Sequence, residues 1–290
     1  FVGDTTILIA SFKYRAFKLH KIIVVIIQHI AWCDLMVTIT AVFPRLVSLI
    51  NNEWVLGNFL CDLIPCIAYY FNVASMLLIC NMTTSKLLLL KYPLRSETIS
   101  VKKAHMVCGA CWLAALIAPV TALLEAVLDG DDIYFSYRTY NCDFVFTAAI
   151  WKWMKPLITG LAMFIPNCVV VATTVYLLVI ANDVARRGRE SLKWQGIMTT
   201  VLTATVYCIS VIPFIAYRVG EQIVVDDNNS TSFFHTSFYR IAGLFLYLNT
   251  ISNFYIYSLS VHSFRDFIRS RIQKTYRIFT NIGTSAGSGF

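Results

Sequence analysis

The chain has 290 residues, 58% of them apolar and only 14% charged, with a mean hydropathy of +0.66. Its net charge of +8 could suit nucleic acid. The cations, however, sit in short loops between long apolar runs, which argues against that partner and places the chain in a membrane.

In chain order, a short apolar piece comes first, over 1–12. At about 1.5 Å per residue it reaches about halfway across a hydrocarbon core about 30 Å thick. It is read as the inner part of a first helix. Six longer runs follow at about 22–50, 58–90, 104–127, 152–182, 195–220 and 234–260. Each holds about 20 mostly apolar residues, enough for one crossing. The expectation is therefore an all-α membrane protein, a bundle of seven transmembrane helices with the first truncated. A seven-transmembrane domain over 1–261 would be followed by an amphipathic helix and tail over 262–290.

The loops alternate in charge. One set carries 18 cations, among them Lys13, Arg95, Arg186 and Arg269, against only Glu97, Asp183, Glu190 and Asp266. The other set is acidic overall, with Asp129, Asp131, Asp132, Glu221 and Asp226 among its ten carboxylates. Basic loops beside helix ends stay in the cytoplasm. The amino terminus is then outside and the tail inside. Asn228 and Asn229 begin two overlapping glycosylation acceptors in an outer loop, although such a pattern also arises by chance. Trp151 and Trp153 beside Lys152 and Lys155 suit a membrane–water boundary.

Seven of the nine cysteines lie in apolar runs, where a thiol behaves as a small hydrophobe. Cys61 and Cys142 lie toward the outer side, where oxidation allows a disulfide. No Cys/His cluster supports a structural metal. The outer stretch 128–143 carries Asp129-Gly130-Asp131-Asp132, then Tyr134 and Tyr140, a pattern that could form a hairpin. In the tail, 262–272 places Phe264, Phe267, Ile268 and Ile272 on one helical face and Arg265, Arg269 and Arg271 elsewhere. That is an interfacial helix lying on membrane lipid; the duller reading is a solvated basic tail.

Polar residues inside spans are costly and invite functional hypotheses. Asp34 sits mid-run, with Ser75, Asn249, Thr250, Ser252 and Asn253 available on other runs. Oxygen ligands around one carboxylate suit a small hard cation. They equally suit hydrogen-bonded glue between helices.

These residues resemble the rhodopsin-like, or class A, G protein-coupled receptors along nearly the whole chain. Trp54-x-x-Gly57-x-x-x-Cys61 resembles that family's first outer loop. Asp34 resembles its second-helix aspartate, Trp112 the fourth-helix tryptophan, and Pro166 and Pro213 the fifth- and sixth-helix prolines. Asn249-Thr-Ile-Ser-Asn253-Phe254-Tyr-Ile-Tyr257 resembles the seventh-helix Asn-Pro-x-x-Tyr region, with Phe264-Arg265 opening an eighth helix. The resemblance implies a Cys61–Cys142 disulfide and favours a sodium ion among Asp34, Ser75, Asn249 and Asn253. No other cofactor is implied. It also implies that Ser85, Lys86, Leu87 and Tyr257 face a heterotrimeric G protein.

The departures are specific. The family's Asp-Arg-Tyr becomes Ser85-Lys86-Leu87, in a register supported by Pro93 downstream. Lys193 lies near the place of the sixth-helix glutamate, Val211 replaces the sixth-helix tryptophan, Phe254 the seventh-helix proline, and Asp4 the first-helix asparagine. Ala68 stands where amine receptors carry an aspartate, and Tyr247 where opsins carry the retinal lysine. The remaining upper cavity is aromatic: Tyr69, Phe71, Phe214, Tyr217 and Tyr247, rimmed by Arg218, Glu221, Tyr239 and Arg240. Such walls fit a peptide or a polar-headed small ligand, and each aromatic also fits helix packing. Arg218 and Arg240 could meet an acidic group or pair with Glu221 or Asp226.

The expectation is a plasma-membrane receptor that passes an extracellular ligand's binding to heterotrimeric G proteins. The alternative is a seven-helix scaffold that does not couple. A transporter would need internal repeats or broken helices, and no nucleophile–base spacing suggests an enzyme.

Overall fold

The computed structural model describes residues 1–12, 19–92, 100–117, 119–120, 133–136, 141–144, 151–186, 191–224 and 233–286. The helices follow the apolar runs closely. Helix α1 is Val2–Phe12, and α2 (Lys21–Val37) passes through a π-helical turn at Thr38–Val42 into α3 (Phe43–Asn51). Then come α4 (Asn58–Lys91) and α5 (Val101–Ala115). A hairpin of β1 (Ile133–Ser136) and β2 (Asn141–Phe144) precedes α6 (Trp151–Arg186), α7 (Ser191–Val224), α8 (Phe233–Ser260) and α9 (His262–Ala286). Lys21–Asn51, Asn58–Lys91, Phe164–Asp183 and Gly196–Ala216 are long and apolar enough to cross a membrane.

Packing follows a ring. Helix α1 meets α2, α7 meets α6 and α8, and α8 returns to α1. Helix α4 is the hub, touching α2, α5, α6 and α7. The main core gathers Ile26, Ile27, Ile30, Leu78, Ile79, Met82 and Phe264, each buried. Outside it, α6 turns Phe164, Ile165, Val175, Val179 and their neighbours outward on several faces. Apolar residues on the outward faces of a helix are what lipid requires and water penalises.

Local chemistry shapes the second span. Pro44 carries no N–H for the ladder, so the helix widens before it. There the Phe43 N–H donates to the Thr38 carbonyl five residues back. Thr38 Oγ1 and Thr40 Oγ1 donate to the Asp34 and Met36 carbonyls, each at 2.8 Å. Such π turns often stand at functional sites, and this one begins four residues after Asp34. The span ends at Asn52, which is left-handed at φ 57°. Trp54 Nε1 then donates to the Gly57 carbonyl at 2.8 Å. Gly57 itself has φ 85°, a backbone region costly for side-chain-bearing residues, as it enters α4. The Trp-x-x-Gly spacing is thus a closed turn.

The hairpin pairs antiparallel with Phe135 opposite Cys142. Cys142 and Cys61 form a disulfide with Cα atoms 5.4 Å apart. It ties the hairpin to the start of α4, which both strands touch. At the other end α9 docks under the bundle. Val261 and Phe264 are wholly buried, and Phe267 and Ile268 pack on the core. Ile272 remains exposed, and α9 continues to Ala286, past the 262–272 expected from the pattern.

Candidate functional site

Asp34 is buried at 1% exposure on α2. Asn253 Nδ2 on α8 donates to its Oδ2 at 2.6 Å, and Thr250 Oγ1 approaches Oδ1 at 3.5 Å. The second and seventh spans are therefore joined through a buried hydrogen bond, which low-dielectric surroundings strengthen. Asp4 on α1 is also buried and lies within electrostatic reach.

Three further oxygens matter. Ser75 Oγ, Asn249 Oδ1 and Asn253 Oδ1 are all buried and have no hydrogen-bond partner among the described residues. Orphaned buried acceptors are rare and need an explanation. The donor chemistry, one carboxylate with hydroxyl and amide oxygens, fits a hard cation such as sodium. Asn253 suits both roles, since its amide nitrogen serves Asp34 while its oxygen is left over.

At the opposite end of α4 the family's ionic clamp is absent. Ser85 Oγ turns back to Asn81 Oδ1 at 3.1 Å, and Asn81 Nδ2 continues to Cys108 Sγ at 3.8 Å. Lys86 is buried at 8% exposure, and among the described residues no hydrogen bond or ion pair holds its ammonium. It reaches across to α7 and lies on Gly196: a Cβ at 196 would stand 2.5 Å from Lys86 Nζ. Glycine is what lets the ammonium approach the backbone so closely. Around this contact a small separate core seals the helix ends, with Leu177, Ala181, Ile197 and Val201 packed by Leu87 and Leu90. Beside it, Leu178, Asn182, Met198 and neighbours line a groove of about 240 Å³ between α6 and α7. Tyr257 is buried on α8 at 1% exposure, its hydroxyl toward Thr203 of α7.

The aromatic residues separate into two places. Phe71 packs on Trp112, with centroids 5.8 Å apart, and on Tyr70 at 5.1 Å. It therefore serves the contact between α4 and α5. Tyr69 also packs against the main core, and Phe214 is half-buried on α7. Tyr247 is half-buried on α8 and meets Arg45 of α3, whose guanidinium carbon lies 5.9 Å from the ring centroid. The side chains of Tyr217, Arg218 and Arg240 lie outside the described residues, as do Asn228 and Asn229. Val211 is buried in the main core at the place of the sixth-helix tryptophan.

Two features escaped the sequence reading. Arg45 lies inside the apolar run 22–50, and an arginine inside such a run is itself a site signal. Trp112 Nε1 donates to His29 Nδ1 at 3.0 Å, and His29 Nε2 meets His105 Nδ1 at 3.1 Å. Nothing in the spacing of these three residues announced that chain.

A ring of apolar helices around one central helix, with a carboxylate seam inside and a disulfide-tethered hairpin at one end, defines a polytopic receptor-type bundle. The model of the family described as "7 transmembrane receptor (rhodopsin family)" matches residues 4–257, and the chain belongs to that family. It is accordingly a seven-helix, multi-pass protein of the plasma membrane. Over 161 residues it is 25% identical to the G-protein coupled receptor homolog C3 of swinepox virus, covering 54% of this chain and 59% of that one. The swinepox homolog K2 matches at the same identity over 43% of its own length. Proteinase-activated receptor 1 of Papio hamadryas is 25% identical over 206 residues, 68% of this chain and 46% of that one. The chain thus spans about half the length of these curated relatives.

Proposed function

We propose that the chain passes the binding of an extracellular peptide or polar small molecule to heterotrimeric G proteins. The amino terminus is outside and the basic loops are inside, as the loop charges favour. The observation that supports the reading is a pair of unlike contacts: a bonded seam between α2 and α8 at Asp34, and an apolar seal of α4 on α6 and α7 beside Lys86. A ligand at the hairpin end would favour a state in which the second contact opens while the first holds. That is a population shift between two arrangements. Opening would uncover Leu87, Leu90, Ile197 and Val201 beside basic loops, a surface for the G protein.

Asp34, Ser75, Asn249 and Asn253 would hold a sodium ion in the resting state, supported by their three orphaned oxygens. The ion would supply charge compensation for Asp34. The relatives point to no single ligand. Two are a dopamine and an octopamine receptor, yet Ala68 offers no acid for an amine. The second reading, a bundle that does not couple, rests on Ser85 turning away from Lys86.

Agonist-free nucleotide exchange on a panel of G proteins tests the proposal. Exchange above that of empty membranes supports coupling. Its absence at normal surface expression, with ligand present and absent, supports the scaffold.

A further inference from the structure

Arg45 stands in the second span, one residue past Pro44, in a helix that is otherwise apolar over most of its length. It is half-buried, and no hydrogen bond or ion pair with any described residue engages its guanidinium. Instead the group is set in a fixed pose against the seventh span. The Tyr247 ring lies under it at 5.9 Å. One turn along α8, Gly243 leaves the space that the fork occupies, since a Cβ there would stand 3.0 Å from Nη1 and 3.7 Å from Nη2. One turn further along α3, Ser48 Oγ is wholly buried and has no partner among the described residues. Four independent features therefore meet at the hairpin end: an unpaired cation, an aromatic support, a glycine gap and an orphaned hydroxyl.

A guanidinium withdrawn from water without a counter-ion is costly. Holding it over an aromatic ring recovers part of that cost by cation–π attraction and leaves the N–H donors for a ligand. The donors form a planar fork that matches a carboxylate through two parallel bonds. Extending the receptor reading, on which this rests, we propose that Arg45, supported by Tyr247 and Gly243, binds the carboxylate of the activating ligand. Ser48 would offer the second donor. The ligand class is then an acid, either a small organic acid or a peptide bearing its free carboxyl terminus. The aromatic ring beside the fork favours an apolar group close to that carboxylate.

The test uses the full chain in lipid nanodiscs and reads binding directly, by saturation-transfer NMR and thermal shift at constant ionic strength. Benzoate is compared with benzamide, and glycyl-phenylalanine with its carboxyl-terminal amide. Each acid is expected to bind about tenfold tighter than its neutral twin, a difference of about 1.4 kcal/mol. A stronger dipeptide assigns the site to a peptide terminus, and a stronger benzoate assigns it to a small acid. Arg45→Gln should abolish the preference, and Arg45→Lys should keep part of it through a point charge. Gly243→Ala should weaken it by displacing the fork. Equal binding of acid and neutral twins, or a preference that survives Arg45→Gln, overturns the proposal. Because binding is read without a G protein, an acid preference with no exchange leaves the subsite standing and removes only the coupling. Exchange without acid preference does the reverse.

Discussion

The two ends of α4 are held by different physics. At the hairpin end the Cys61–Cys142 disulfide holds α4, and at mid-bundle Asp34 of α2 is bonded to Asn253 of α8 at 2.6 Å. At the Lys86 end Leu87 and Leu90 of α4 pack against α6 and α7, with an ammonium resting on Gly196. Directional bonds break at a full desolvation penalty, whereas apolar packing slides and re-forms. On the proposed mechanism, the hairpin end would hold while the Lys86 end rearranges.

The largest break is expected at the covalent tie. Cys142→Ser should lower stability by about 2–4 kcal/mol, since the bond closes a long loop. The readouts are the melting temperature and surface expression; unchanged values for both would remove the disulfide from the holding end. Next comes the seam. Asn253→Leu leaves the Asp34 carboxylate with only Thr250 at 3.5 Å. A loss of about 1.5–3 kcal/mol should follow, seen as a drop in melting temperature that Asp34→Asn in the same chain partly restores. A variant as stable as the parent would show that the seam carries no load.

Sodium probes the same seam from the ligand side. Raising sodium at constant ionic strength should weaken agonist binding, and Asp34→Ala should remove that dependence. Coupling between two sites is typically about 1–3 kcal/mol; an isotherm indifferent to sodium counts against the ion. The packed end should respond in signalling rather than in stability. Ser85→Asp supplies Lys86 with a carboxylate and should lower basal exchange by up to about tenfold, or about 1.4 kcal/mol. If basal exchange in the parent is real and Ser85→Asp leaves it unchanged, the missing acid is not its cause. The smallest effect belongs to Gly196→Ala. The added Cβ meets only the far end of a flexible side chain, so stability should stay within about 1 kcal/mol. Basal exchange should nevertheless shift as Lys86 is re-aimed. A large loss of stability would mean that the ammonium is held there rigidly.

Much of this was legible in the sequence. The limits of the second, third, fifth, sixth and seventh spans, the hairpin, the Cys61–Cys142 pairing and the burial of Asp34 stand as expected; the far end of the run 104–127 lies outside the described residues. Span limits follow from length and apolar content alone, and the cysteines were placed by the family motif. Rotational setting was not legible. In water an apolar stripe marks the buried face, but a membrane helix is apolar on its lipid face as well. Periodicity therefore could not say that Phe71 turns to Trp112, or that Arg45 turns to Tyr247. Both outcomes depend on how neighbouring helices are rotated. In the second span that rotation is reset by the π turn before Pro44, a device that adds backbone twist without leaving a strong sequence signal.

Phe254 replaces the proline that ordinarily interrupts the seventh span, and α8 runs from Phe233 to Ser260 with no proline in it. On α1, Gly3 faces that ring so closely that a Cβ would stand 2.9 Å from Phe254 Cβ. A helix with an unbroken ladder bends little and behaves as a rod. A push delivered at Tyr247 would travel as a tilt or a turn of the whole shaft about the Gly3–Phe254 fulcrum. A seventh span of this kind would work as a lever rather than as a hinge.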